Sequence, residues 1–146
     1  MENKAFVVLP NALFFTEVKR HLQERKSVGI TVKRNSMYPF LKNGQQVLLR
    51  PLHDMRIKTG DIVLAEIESG YVLHRVVKKN ERFVTLAGDG NLYQKERADR
   101  DKVMAAVPTS PLRRIAGLTW YVLRPLRRIA YKIYASWIKP IKKSKT

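Results

Sequence analysis

The stretch Asp61-Ile62-Val63-Leu64-Ala65-Glu66-Ile67-Glu68-Ser69-Gly70-Tyr71-Val72-Leu73-His74-Arg75-Val76-Val77 decides how this chain is read. Residues Ile62 to Glu66 and Tyr71 to Val77 are dense in the β-branched and aromatic side chains that suit a pleated surface, and Glu68-Ser69-Gly70 between them carries turn chemistry. The segment therefore predicts a β-hairpin with its tip at Ser69-Gly70. Working outward, Val28 to Val32, Gln46 to Leu49 and Phe83 to Leu86 read as further short strands. The connectors Lys42-Asn43-Gly44, Lys58-Thr59-Gly60-Asp61 and Gly88-Asp89-Gly90-Asn91 have the residues that tight turns need. Strands this closely spaced, up to about Val107, predict a mainly β domain: a small antiparallel β-barrel or layered sheet.

Both ends change period. From Ala12 to Arg25 the spacing of Leu13, Phe14, Val18 and Leu22 fits one face of a helix, with Asn11 as its N-cap and Ser27-Val28-Gly29 ending it. From Leu112 onward, Ile115, Leu118, Val122, Leu126, Ile129, Ile133 and Trp137 recur at helical steps, with Arg124, Arg128 and Lys132 on the other side. Pro125 should kink or divide this helix, because it lacks a backbone donor and crowds the preceding turn, and Pro140 should close it. The expected division is a domain over 1–110 and a basic amphipathic helical tail over 111–146.

A length of 146 residues suits one hydrophobic core and leaves no room for a second catalytic domain. No run approaches the roughly 18 apolar residues that cross a bilayer, and the N-terminal apolar stretch is broken by Pro10 and Asn11, so neither a transmembrane anchor nor an export signal is expected. The absence of cysteine excludes disulfide frameworks, thiolate catalysis and cysteine-based zinc sites, and fits a cytoplasmic location. The three scattered histidines make no metal site, and no cofactor is implied. Lysine and arginine outnumber the acids 29 to 12, a formal charge of +17 that favours an anionic partner. Much of the excess lies beyond Pro111, where there is no Asp or Glu.

A serine hydroxyl becomes a useful nucleophile only beside a base that takes its proton. Ser36 lies in Arg34-Asn35-Ser36-Met37-Tyr38-Pro39-Phe40-Leu41, followed by Gly44, by Gly60-Asp61-Ile62-Val63, by His74-Arg75-Val76 and by Gly88-Asp89-Gly90-Asn91. That ordered set resembles the type I signal peptidase and LexA-like serine peptidase superfamily over roughly Val28 to Val107. In that superfamily a Ser-Met-X-Pro segment presents the nucleophile, and the general base precedes Arg-Val. Histidine at the base position is closest to the endoplasmic-reticulum, archaeal and sporulation-type signal peptidases, whereas bacterial type I and LexA-type members use lysine.

The resemblance implies a serine endopeptidase with Ser36 as nucleophile and His74 as general base, the imidazole accepting the serine proton and returning it to the leaving amine. Asp89 is the first choice to orient the imidazole, as in a catalytic triad. The eukaryotic branch places a second acid six residues after that aspartate; this chain has Lys95 there, which makes the neighbouring Glu96 the alternative. The Ser36 backbone N–H would serve the oxyanion, with Asn35 adding its amide, while Met37, Pro39 and Phe40 would line a groove for an extended substrate. Two departures stand out: Gln45 follows Gly44 where the family usually has Asp, and Arg34 replaces the small hydroxyl residue that aids the oxyanion hole in bacterial relatives.

The implied partner is a peptide or precursor protein. With only 35 residues before Ser36, self-cleavage of the LexA kind is not expected. A non-catalytic binding module on the same fold, tethered to membrane or nucleic acid, is the alternative. The tail has three readings: docking of its apolar stripe on the domain with the arginines in water, interfacial binding to an anionic membrane at the cytosolic face, or nucleic-acid binding, for which charge is the only support. The membrane reading assigns Arg113, Arg114, Arg124, Arg127, Arg128 and Lys132 to lipid headgroups, with Trp120, Tyr121, Tyr131, Tyr134 and Trp137 beside them.

Overall fold

The computed structural model describes residues 11–52 and 56–138, with side chains from 13 onward, so the Asn11 side chain expected to cap a helix and the helix stop expected of Pro140 fall outside what is described. The elements in chain order are α1 (Asn11–Gln23), β1 (Val28–Thr31), β2 (Gln46–Pro51), β3 (Ile62–Ile67), β4 (Gly70–Lys79), β5 (Phe83–Ala87), β6 (Glu96–Asp99), a single 3-10 turn at Arg100–Lys102, β7 (Val103–Val107), α2 (Pro111–Val122) and α3 (Arg124–Ile138).

The hairpin predicted from residues 61–77 forms β3 and β4, with Ile62 opposite Arg75 and Ile67 opposite Gly70. Gly70 takes a φ of +128°, a conformation open to glycine and costly for other residues, which fixes the tip. Around the hairpin the strands run in the order β1-β2-β7-β3-β4-β5-β6, and every pairing is antiparallel.

β3 sits at the centre and is buried on both faces, and the two-residue period of a strand divides its side chains between two cores. Ile62 and Leu64 join Val18, Leu22, Met37, Leu41 and Leu49 on one side. Val63 and Ala65 join Val76, Val84, Leu86 and Ala106 on the other. The first core is closed by α1, whose apolar face buries Val18 and Leu22 and brings Phe15 to stack on Tyr71 at 4.5 Å.

Register shifts between Leu64 and Ala65 on β3 and between Val76 and Lys78 on β4 add bend to the sheet. Even so, among the described residues no pairing joins β1 to β6, so the sheet is open and the barrel alternative is corrected. A barrel needs its first and last strands in register; here both are four residues long and offer little ladder to share.

Of the two outcomes expected at Pro125, a kink or a division, the structure shows the division, giving two helices. It occupies the first turn of α3, where a missing N–H costs nothing. Ser110 caps α2, its Oγ accepting from the Arg113 N–H at 3.3 Å, with Pro111 in the first helical position. The orientation of the pair reverses the docked-stripe expectation: Leu112, Ile115, Val122, Leu126, Ile129, Ile133 and Trp137 face outward, and arginines face the domain. The helices can sit that way because the turn beneath them presents backbone carbonyls, which guanidinium groups satisfy and aliphatic side chains do not.

Candidate active site

Successive side chains of a strand leave opposite faces, so adjacent His74 and Arg75 of β4 reach different partners. His74 is buried and its Nδ1 lies 2.8 Å from Glu96 Oε2, the first residue of β6. An ionised carboxylate only accepts, so a neutral imidazole in this contact carries its proton on Nδ1 and has Nε2 as its acceptor nitrogen. Arg75, the largest fully buried side chain, donates from Nε to Asp89 Oδ1 at 2.8 Å and from Nη2 to Asp89 Oδ2 at 2.7 Å. Its Nη1 donates to the Gly60 carbonyl at 2.7 Å, and its guanidinium lies 4.8 Å from the Phe40 ring centroid.

Asp89, expected first to orient the histidine, thus has both oxygens engaged by Arg75, and the acid that meets His74 is Glu96. A planar guanidinium matches a carboxylate edge to edge, and a buried cation cannot be left unpaired, which is why Arg75 takes Asp89. Burial pushes the Asp89 carboxyl above its ordinary range, while the bonds and charge of Arg75 and the nearby charge of Arg127 draw it back.

The turn Gly88-Asp89-Gly90 brings Ser36 to this place. The Gly90 N–H donates to the Ser36 carbonyl at 2.8 Å, and the Asn35 carbonyl packs where a Gly90 side chain would begin. A Cβ on Gly88 would stand 2.5 Å from the Ser36 carbonyl oxygen, closer than real side chains come, and 3.1 Å from His74 Nε2, a tight contact. The bare backbone of Gly88 therefore lets the Ser36 carbonyl and His74 Nε2 approach the same turn. Among the described residues no hydrogen bond joins the Ser36 hydroxyl to His74, nor does the Ser36 N–H have a partner. Such contacts are often long in the absence of substrate and tighten when it binds.

The residues expected to form a groove divide. Asn35 is exposed, Pro39 and Phe40 are half-buried, and Met37 is 1% exposed within the first core. Met37 consequently fills core and does not line a groove, a correction that follows from the backbone bonds Tyr38 N–H to Asn35 O and Leu41 N–H to Met37 O, which coil this segment and turn Met37 inward. Tyr38 is left exposed in its place.

The arginines assigned to lipid headgroups are likewise redistributed. Arg124 Nη2 donates to the Gly88 and Gln94 carbonyls, each at 3.2 Å, Arg127 Nη1 to the Asp89 carbonyl at 3.2 Å, and Arg128 Nε to the Leu92 carbonyl at 2.7 Å. Trp120 Nε1 also donates to the Asp89 carbonyl, at 2.9 Å, and Arg114 reaches Asp61 at 3.3 Å. These four arginines hold the turn over 88–94 and its neighbour and are not free for headgroups; Arg113 and Lys132 remain exposed. Burial lowers the proton affinity of Arg124 and Arg127. Nitrogens of theirs without hydrogen-bond partners are offset by ring faces, Tyr121 at 4.9 Å from Arg124 and Trp120 at 4.3 Å from Arg127.

Gly117 of α2 rests directly on the Arg75 guanidinium, where any side chain would collide with it. Sequence reasoning missed this contact and the arginine clamp. The available signal was the run of aromatic and then basic residues, Trp120-Tyr121 before Arg124 and Arg127, whose rings and guanidiniums meet across the junction of α2 and α3.

Among the described residues no group of three His, Asp or Glu side chains is placed to hold a metal ion. No helix among them is long and apolar enough to cross a membrane. Compared with known proteins, the chain finds no match among curated proteins. A family model, Peptidase S24-like, matches residues 4–107, a stretch that contains Ser36, His74, Asp89 and Glu96 and ends before α2.

Proposed function

This chain belongs to the Peptidase S24-like family, within the LexA and signal peptidase superfamily, and we propose that it is a serine endopeptidase acting through Ser36, His74 and Glu96. The observation that carries the reading is the imidazole held at Nδ1 by Glu96, 2.8 Å away, with Nε2 beside Gly88 at the point where the Ser36 backbone arrives.

In the proposed reaction Ser36 Oγ attacks the scissile carbonyl carbon as its proton passes to His74 Nε2. Glu96 holds the tautomer that leaves Nε2 free to accept, and it stabilises the imidazolium that results. The oxyanion that forms is met by the unengaged Ser36 N–H. Collapse breaks the carbon–nitrogen bond, and the Nε2 proton leaves with the amine. Water then attacks the acyl-serine, again giving its proton to Nε2, and the second product departs as the proton returns to Ser36 Oγ. This use of histidine is that of the Ser-His signal peptidase branch, and the substrate class is an extended segment of a peptide or leader-bearing precursor. Arg75 and Asp89 act by fixing the turn that carries Gly88 and Gly90.

The test is intact-protein mass measurement after treatment with a fluorophosphonate, combined with cleavage of a leader-peptide library. Wild-type protein should gain one phosphonyl adduct at Ser36 and cut a subset of peptides, while Ser36→Ala and His74→Ala should do neither. Products shared by all three proteins would show the assigned nucleophile and base to be wrong, and a wild type that neither labels nor cuts would leave the non-catalytic binding module in its place.

A further inference from the structure

We infer that the outward face of α2 and α3 docks in the surface of an anionic lipid bilayer, with both helices lying in the plane of the membrane. Val122 is 70% exposed, Leu126 62% and Trp137 85%, all in one stripe that continues through both helices. At a helical rise of about 1.5 Å per residue, the stripe from Leu112 to Trp137 runs along roughly 40 Å of helix.

This exposure is fixed by the opposite face. Arg124, Arg127 and Arg128 are bonded to carbonyls of the turn over 88–94, and Gly117 rests on Arg75. Rolling the stripe inward would break those bonds and leave guanidinium groups and carbonyls unpaired, so the apolar face stays outward, uncovered by the described residues.

Charge selects the occupant. The sequence has no Asp or Glu after Asp101, while Arg113 and Lys132 are exposed on the helices and Lys139, Lys142, Lys143 and Lys145 follow them in the sequence. A second copy laid on this face would bring two acid-free cationic surfaces together with nothing to neutralise either. Anionic headgroups neutralise them, and the acyl boundary takes the aliphatic stripe, with Trp137 suited to the layer between. The inference stands on its own, whatever chemistry Ser36 performs.

Flotation of the full chain with vesicles tests it, using phosphatidylcholine alone and phosphatidylcholine mixed equally with phosphatidylglycerol. The protein should rise with the mixed vesicles and stay at the bottom with the neutral ones, and high salt should weaken binding. Arg113→Ala and Lys132→Ala should each weaken it about fivefold. Leu126→Glu combined with Ile129→Glu should abolish it while circular dichroism and Tm remain those of the wild type, since both side chains point outward. Flotation unchanged in that double variant overturns the proposal. So does a wild type that ignores mixed vesicles, whether it sediments as a monomer or as a dimer that the double variant dissociates.

Discussion

Asp89→Ala would remove the only carboxylate bonded to a buried guanidinium among the described residues. Arg75 is 1% exposed and would keep just one of its three acceptor contacts, the Gly60 carbonyl. Two charge-assisted bonds of 2.8 and 2.7 Å are lost, and water cannot replace them without opening the contact with Gly117. Breaking one side of a buried ion pair costs about 3–5 kcal/mol. That is a large share of the roughly 5–15 kcal/mol that holds a domain together. With about 2–4 °C of Tm per kcal/mol at this size, Tm should fall by about 6–20 °C in differential scanning calorimetry. Replacing both partners, Arg75→Met with Asp89→Leu, should recover most of the loss, because the pair's own desolvation disappears with it. The reasoning fails if Asp89→Ala lowers Tm by less than about 2 °C. It fails differently if the variant keeps its Tm and loses fluorophosphonate labelling, since Asp89 would then serve His74 and not Arg75.

Three further outcomes follow from contacts already described. Glu96→Gln should keep its Tm close to the wild type and lower kcat about a hundredfold or more, because the imidazole loses its charged partner; an unchanged kcat would remove Glu96 from the reaction. Gly117→Ala should cost about 1–3 kcal/mol by urea titration, against the small gain that alanine normally brings to a helix, because the added methyl meets the Arg75 guanidinium. Arg124→Ala should lower stability by about 1–3 kcal/mol and speed amide exchange across 88–94, because the Gly88 and Gln94 carbonyls lose their shared donor; exchange unchanged in that turn would show that the clamp is not needed.

Much of the fold was written locally. The hairpin over 61–77 declares itself through β-branched strands on either side of a glycine turn, and α1 through the spacing of Val18 and Leu22. β6 was silent because three of the four residues Glu96-Arg97-Ala98-Asp99 are charged, a composition that an edge strand tolerates and that carries no strand signal. β7 was not resolved as an element of its own: Val103-Met104-Ala105-Ala106-Val107 is rich in alanine, and its place between β2 and β3 comes from pairings across long stretches of chain. Missing β6 also hid the choice of acid. Asp89 lies nearer to His74 in sequence, but only the alternation of β4 reveals that Arg75 competes for it and that Glu96 arrives from the neighbouring edge. The C-terminal helices were legible as amphipathic, yet amphipathicity distinguishes two faces without saying which one docks. That choice depended on the exposed carbonyls of the turn over 88–94, which no residue type advertises.

Gly117 gives α2 a grip on the candidate site that its distance along the chain conceals. Its bare backbone is the roof over the Arg75 cation, and that cation itself tethers the turn that meets the Ser36 backbone and lies beside His74. Lifting the helix would admit water to the guanidinium, which would then compete with Asp89 for its own donors and slacken the loop. The first and last of these parts are 81 positions apart, from Ser36 to Gly117, yet they yield or hold together.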